Sequence, residues 1–295
     1  MARKELNGIA VAGTILVDRY PETTGIGSAK LVCAGCVPNL AGMLKKLSEK
    51  MPVSAIGAVG DDAQGRYAVS WLKSAGIHTS GVKTIEGSTD DAPRNFGISH
   101  MAFRDLSCKI LHLGDFLTMD RIDSGDGRKI LKHVKQCGME TSLSMRSGSS
   151  DRYAAVLAAL PFTDYFSVSL EDGAWLVKMD PETDGMEKIA RRLLWYGVKK
   201  KVFIFSDQWV ACCTKTRYDL LGNFILPENQ SDVGKQMQDA FCAGVLTGVY
   251  NGWSNMKILE FASSCLAVRQ CAEQMEAVSD VQAYCEQFKR YKKVL

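Results

Sequence analysis

The strongest constraint on this chain is an alternation. Short apolar runs rich in Val, Ile and Phe recur along it: GIAVAGTILV, VSAIGAVG, KILHLG, TSLSM, DYFSVS and KVFIF. Between most of them lie stretches with helical apolar spacing, at 36–50, 62–75, 119–136, 151–160 and 184–196. A strand that is apolar at nearly every position must be covered on both faces, and the intervening helices supply that cover. The pattern predicts a mostly parallel central sheet between two helical layers. From about Gln238 to Arg290 the chain turns almost wholly helical, broken at NGWSN and near EAVSD. Its 295 residues are enough for one large α/β domain or two small ones. With no internal repeat or low-complexity segment, a single domain over 1–295 is the reading.

Two stretches stand outside the alternation, 19–34 (RYPETTGIGSAKLVCA) and 83–106 (KTIEGSTDDAPRNFGISHMAFRDL). Both are polar, rich in turn residues and β-leaning. They are expected to form a small flap of strands inserted between βα units; two surface loops are the plainer alternative. Composition narrows the function classes. A formal charge of +3 is too slight to argue for nucleic acid or an anionic membrane. No segment approaches ~18 uninterrupted apolar residues, so no membrane span is expected. The basic-then-apolar start ends its apolar run at Asp18-Arg19 and reads as a first buried strand rather than a leader. Ten cysteines and four histidines lack metal-ligand spacing, so reduced thiols, a cytoplasmic setting and no structural cofactor are expected.

In open α/β sheets, ligands bind beyond the carboxyl ends of the strands. Asp18, the Gly57–Asp62 stretch, Gly114-Asp115 and Ser144 follow or close apolar runs and are expected to line such a cleft. Near the C-terminus, SDVGKQMQDAFCAGVLTGVYNGW carries Asp239 at the opening of an apolar, small-residue helix. A carboxylate there stands beside free backbone amides that can hold an anion.

Three stretches together resemble the ribokinase-like (PfkB) family of sugar and nucleoside kinases: CAGCVPNLAGMLKKL, AIGAVGDDAQGRYAVSWLKSAGI and DAFCAGVLTGVYNG. The resemblance runs from the first strand to the helical C-terminus. It implies a three-layer α/β domain with helices on both faces and a small β lid, at 19–34 and 83–106. It implies phosphoryl transfer from Mg-ATP to a hydroxyl of a sugar or related small polyol. Asp239 would be the base, and Asp18, Gly35 and Asn39 would bind the substrate. Each has a plainer role: Asp18 as a strand end, Asn39 as the cap of the helix after Pro38, Asp239 as an N-terminal cap.

The nucleotide side departs from the family pattern. Gln236, Met237 and Gln238 stand where Gly-Ala-Gly would cradle phosphate with backbone amides. Lys235 could compensate with charge. Ser169 and Asp172 replace the family's Asn-x-x-Glu, leaving Asp172 as the magnesium-side acid with Glu171 beside it. Ser206-Asp-Gln-Trp209 replaces a glycine-bearing turn near the nucleotide. The shortened second lid segment weakens the expectation of a lid-to-lid homodimer. Two function classes follow: an ATP-dependent carbohydrate kinase, or a catalytically weak or inactive relative that binds a small ligand or partner.

Overall fold

The sheet starts at the chain's first apolar run. Ile9–Ala12 forms β1, buried at every residue. The computed structural model describes residues 6–21, 29–103, 106–146, 152–226, 237–271 and 278–292. After β1 come β2 (Leu16–Pro21), β3 (Ala29–Ala34), α1 (Cys36–Leu47), β4 (Val53–Gly60), α2 (Ala63–Ser74) and β5 (His78–Ile85). The middle of the chain gives α3 (Ala92–Asn95), β6 (Ile110–Phe116), α4 (Gly127–Gln136), β7 (Glu140–Met145), α5 (Tyr153–Ala159), β8 (Tyr165–Ser169), α6 (Leu170–Val177) and α7 (Gly185–Trp195). The last part holds β9 (Lys201–Phe205), β10 (Trp209–Cys213), β11 (Tyr218–Gly222), α8 (Met237–Tyr250), α9 (Asn255–Cys271) and α10 (Val278–Cys285).

Nine of these strands form one sheet in the order β11-β10-β9-β8-β7-β6-β1-β4-β5. Only β10 runs against its neighbours. Successive side chains on a strand point to opposite faces, and the two hydrophobic cores divide accordingly. Ile9, Val11, Phe203 and Phe205 feed the core beneath α1, α8 and α9. Ala10, Ala12, Val202 and Ile204 feed the other, with residues of α4, α6 and α7. Burying a Val, Ile or Phe side chain stabilises by roughly 1.5–3 kcal/mol, so a strand apolar on both faces is fixed in register by two cores at once. α8 is buried from Asp239 to Val249. A Cβ at Gly244 would lie 2.5 Å from Ala262 Cα, so α8 and α9 meet backbone to backbone. Among the described residues, no helix is long and apolar enough to cross a membrane.

The expected lid is half of what the spacing suggested. The described residues of the 19–34 segment, 19–21 and 29–34, belong to β2 and β3, which pair antiparallel as a separate two-stranded sheet from Leu16–Ala34 to Pro21–Ala29. The first run, GIAVAGTILV, therefore breaks in two at Gly13-Thr14, where the chain leaves the main sheet. Among its described residues, the 83–106 segment adds no strand to that flap. Its first residues complete β5, the parallel partner of β4 at the sheet edge. The remainder turns through Gly87 into the short α3 and a 3-10 turn at Ile98–His100. The physical reason is local: Asp62 caps α2 through Gly65 N at 2.7 Å and also accepts from Thr89 N at 2.9 Å and Thr89 Oγ1 at 2.5 Å. That carboxylate ties the residues after β5 down to the β4–α2 turn.

Candidate active site

β1 is the point where strand order reverses. The chain runs from it to β4 and β5 on one side, and to β6 and beyond on the other. A crevice opens at such a switch, outside the carboxyl ends of the strands. Three residues reach it from three strands: Thr14 just after β1, Asp115 near the end of β6, and Arg146 just after β7. The N-termini of α1 and α8 add Cys36, Asn39 and Asp239.

These groups interlock. Gly35, ahead of α1, has no side chain to cap it. Instead, Cys36 N donates to Thr14 Oγ1 at 3.1 Å and to Asp115 Oδ2 at 2.9 Å. The Thr14 hydroxyl donates to the same Asp115 oxygen. Asp115 thus serves as a cap supplied from a distant strand, where a helix N-terminus favours negative charge. Gly35 itself sits at φ +89, and a Cβ there would fall 2.5 Å from Thr14 Oγ1, so only glycine fits this turn. Arg146 Nε donates to Asp115 Oδ1, and Arg146 Nη2 lies 3.3 Å from Asp239 Oδ2. Asn39 Nδ2 donates to that same Asp239 oxygen at 3.1 Å.

The electrostatics follow from burial. Asp115 and Asp239 are 3% and 2% exposed. Desolvation, then the charge of Asp115, pushes the Asp239 carboxyl up to about 7; Arg146 and Asn39 pull against that rise. Burial and the neighbouring carboxylates hold the Cys36 thiol well above its ordinary range. Cys36, Asp115 and Asp239 each offer an atom within 4.8 Å of the others. A thiol is a poor partner for Mg²⁺, which takes oxygen ligands, and Arg146 already supplies positive charge to both carboxylates.

Two cavities meet at this cluster. One, of about 480 Å³, is lined by Asp18, Gly35, Asn39 and Asp115, with Asp90, Pro93 and Arg94 from the 83–106 segment. It brings together the three residues expected on the substrate side, and the flap's Asp18 and Tyr20 form part of its wall. The other, of about 330 Å³, is lined by Ser169, Glu171, Asp172, Ser206, Asp207 and Gln238. Arg146 lines both. On the second side, Gln238 turns its amide onto Ser167 O at 3.0 Å. Asp172 and Ser169 bond reciprocally at the start of α6, Ser169 Oγ to Asp172 Oδ2 at 2.9 Å and Asp172 N to Ser169 Oγ at 3.0 Å. Lys235 and Gln236 lie outside the described residues.

Other expected cleft residues do different work. Ser144 lies within β7 and bonds His112 Nε2 at 3.1 Å, while Ser142 bonds Nδ1 at 2.9 Å. Asp62 caps α2. Sequence reasoning passed over Arg146. Its signal was its place, first after the TSLSM run and so at a strand's carboxyl end.

No model of a known protein family matches the sequence. A 5-dehydro-2-deoxygluconokinase of Geobacillus thermodenitrificans is 22% identical, over 97% of this chain and 95% of the relative. A candidate ribokinase II from E. coli, solved in complex with ATP and Mg²⁺, aligns with a TM-score of 0.79 at 16% identity, over 96% of this chain and 100% of that one. A 2-dehydro-3-deoxygluconokinase from Thermotoga maritima aligns with a TM-score of 0.76 at 13% identity, over 95% and 99%. Nearly end to end, this chain has the ribokinase-like fold of the PfkB carbohydrate kinases.

Proposed function

We propose that the chain is a PfkB-type carbohydrate kinase, moving a phosphoryl group from Mg-ATP to a hydroxyl of a sugar or related small polyol. One observation carries this reading: the two cavities meet at Arg146, which is hydrogen-bonded to the buried Asp239. The larger cavity would hold the polyol, with Asp18 accepting from its hydroxyls, Asn39 at the helix start and Gly35 letting the backbone approach. Asp239 would take the proton from the attacking hydroxyl. Arg146 would face the charge that develops on the transferred group, a role suited to a fixed guanidinium in a water-poor site. The nucleotide would enter the second cavity, beside Ser206 and Gln238. The hard oxygens of Glu171, Asp172 and Asp207 there suit Mg²⁺, which binds through one or two carboxylates and retained waters and would offset phosphate charge.

A second reading has its own support. Among the described residues, the nucleotide-side cavity is lined by three carboxylates and one cation, Arg146, and the Gln238 amide that also lines it is committed to Ser167 O. A relative that holds a polyol and turns over little or no ATP would have such a site. The flap is a two-stranded sheet with no third strand among the described residues, and a homodimer through it belongs to the same proposal. The test is a screen of small sugars and polyols with Mg-ATP, following ADP release and product mass, on native protein and Asp239→Asn. Loss of a general base costs about 10²–10⁴-fold, so turnover should fall by that much in the variant. Turnover that survives Asp239→Asn unchanged rejects the kinase assignment of this residue, and absence of turnover with every acceptor supports the second reading.

A further inference from the structure

Asp115 is one of three non-glycine residues with a left-handed backbone among the described residues, at φ 54. A glycine would take that conformation without strain, so the position retains a carboxyl side chain at some conformational cost. Both carboxylate oxygens are committed, Oδ2 to Cys36 N and Thr14, Oδ1 to Arg146. The consequence lies in the charge of the larger cavity. Arg94 and Arg146 line it, and so do Asp18, Asp90 and Asp115. An uncommitted guanidinium there would draw a substrate carboxylate into a bidentate pair. Arg146, however, is already held between Asp115 and Asp239. Arg94 lies 3.6 Å from Asp91 with both side chains about two-thirds exposed, and solvent screens its charge.

We propose that Asp115 is a specificity determinant: by engaging Arg146 it makes the cavity select an uncharged polyol over the matching sugar acid. This rests on the reading of the cavity as a polyol site. A substrate carboxylate entering beside Arg146 meets the Asp115 charge at close range and in partial burial, where like charges repel strongly. A terminal CH₂OH group meets hydrogen-bond acceptors instead, and an uncharged polyol loses nothing to repulsion.

The test uses pairs that differ only at one terminus: ribitol with ribonate, and D-glucitol with D-gluconate. Binding is titrated calorimetrically on the full chain at constant ionic strength and at about pH 8, where aldonates are ionised. Native protein should bind the alditol of a pair more tightly. Asp115→Asn keeps an acceptor for Cys36 N and tolerates the left-handed backbone; it should move the alditol-to-aldonate affinity ratio toward the acid by about tenfold. Asp115→Gly, which relieves the backbone altogether, should move it the same way and stands in if the asparagine variant misfolds. Native preference for the aldonate, or an unchanged ratio in both variants, overturns the inference and leaves the polyol site standing. Binding of no alditol and no aldonate by any of the proteins overturns the site reading and this inference with it.

Discussion

Asp239 serves two ends that pull against each other. As the proposed base it would have to be ionised, yet it is buried beside Asp115, and together these hold its carboxyl up to about 7. The folded value exceeds the unfolded one, so its protonated form stabilises the fold. That contribution is fully present below the ordinary carboxylate range near 4 and is lost as pH rises through about 7. Asp239→Asn cannot ionise and is blind to this change. The stability of native protein relative to Asp239→Asn should therefore fall as pH rises from about 5 to 8. Melting curves of both proteins across that range check it; a constant difference removes the assigned shift. Catalysis runs with the opposite slope. If Asp239 is the base, turnover needs the carboxylate, so the acid limb of its pH profile should lie near 7, and a limb near 4 would place the base in a different environment.

At the scale of elements, the turn between β3 and α1 sets the pocket floor. Gly35→Ala there combines φ +89 with a Cβ 2.5 Å from Thr14 Oγ1. Left-handed backbone alone costs roughly 1–2 kcal/mol for a residue with a Cβ, and displacing Thr14 would also disturb its bonds to Cys36 and Asp115. Urea unfolding should show a loss of at least that size; wild-type stability would mean the turn has another geometry. The sequence made the central strands legible because each is apolar on both faces. β5 was not, since HTSGVKTI is an edge strand, half exposed along its length, and its polar character reads as loop. The same error assigned 83–106 to the flap. β10 and β11 were missed for a related reason: they form a hairpin on the sheet edge rather than βα units. That Asp18, Gly35 and Asn39 would line one cavity was readable from motifs. The Asp115–Arg146–Asp239 cluster was not, because its members lie 31 and 93 positions apart along the chain and meet only through strand order.

Across the whole molecule, the two halves of the crevice are unequally equipped. The proposed polyol half has a shaped cavity whose polar groups are positioned by β1, β6, α1 and the flap. The proposed nucleotide half has Glu171, Asp172 and Asp207 lining a space where Arg146 is the lining cation among the described residues, and Gln236-Met237-Gln238 ahead of Asp239 in place of small residues. ATP brings several negative charges into that acidic space. Bare nucleotide should bind poorly, and a divalent cation should bridge phosphate and carboxylates. Calorimetric titration should therefore detect Mg-ATP and lose the signal by at least tenfold in affinity when a chelator removes the metal. Equal binding of ATP with and without Mg²⁺ would reject this account of the acidic lining. Replacing Gln236-Met237-Gln238 by Gly-Ala-Gly then separates the two functional readings. Glycines permit a cradle of backbone amides at the start of α8, where the helix end favours an anion. If the side chains obstruct that cradle, the triple substitution tightens Mg-ATP binding and raises turnover only while Asp239 is intact. If Lys235 supports a rebuilt site, the substitution gains nothing and Lys235→Ala weakens native binding instead. Native turnover within the ordinary range for kinases, about 1–100 s⁻¹, would exclude obstruction, since a site working at that rate has no missing donors to restore.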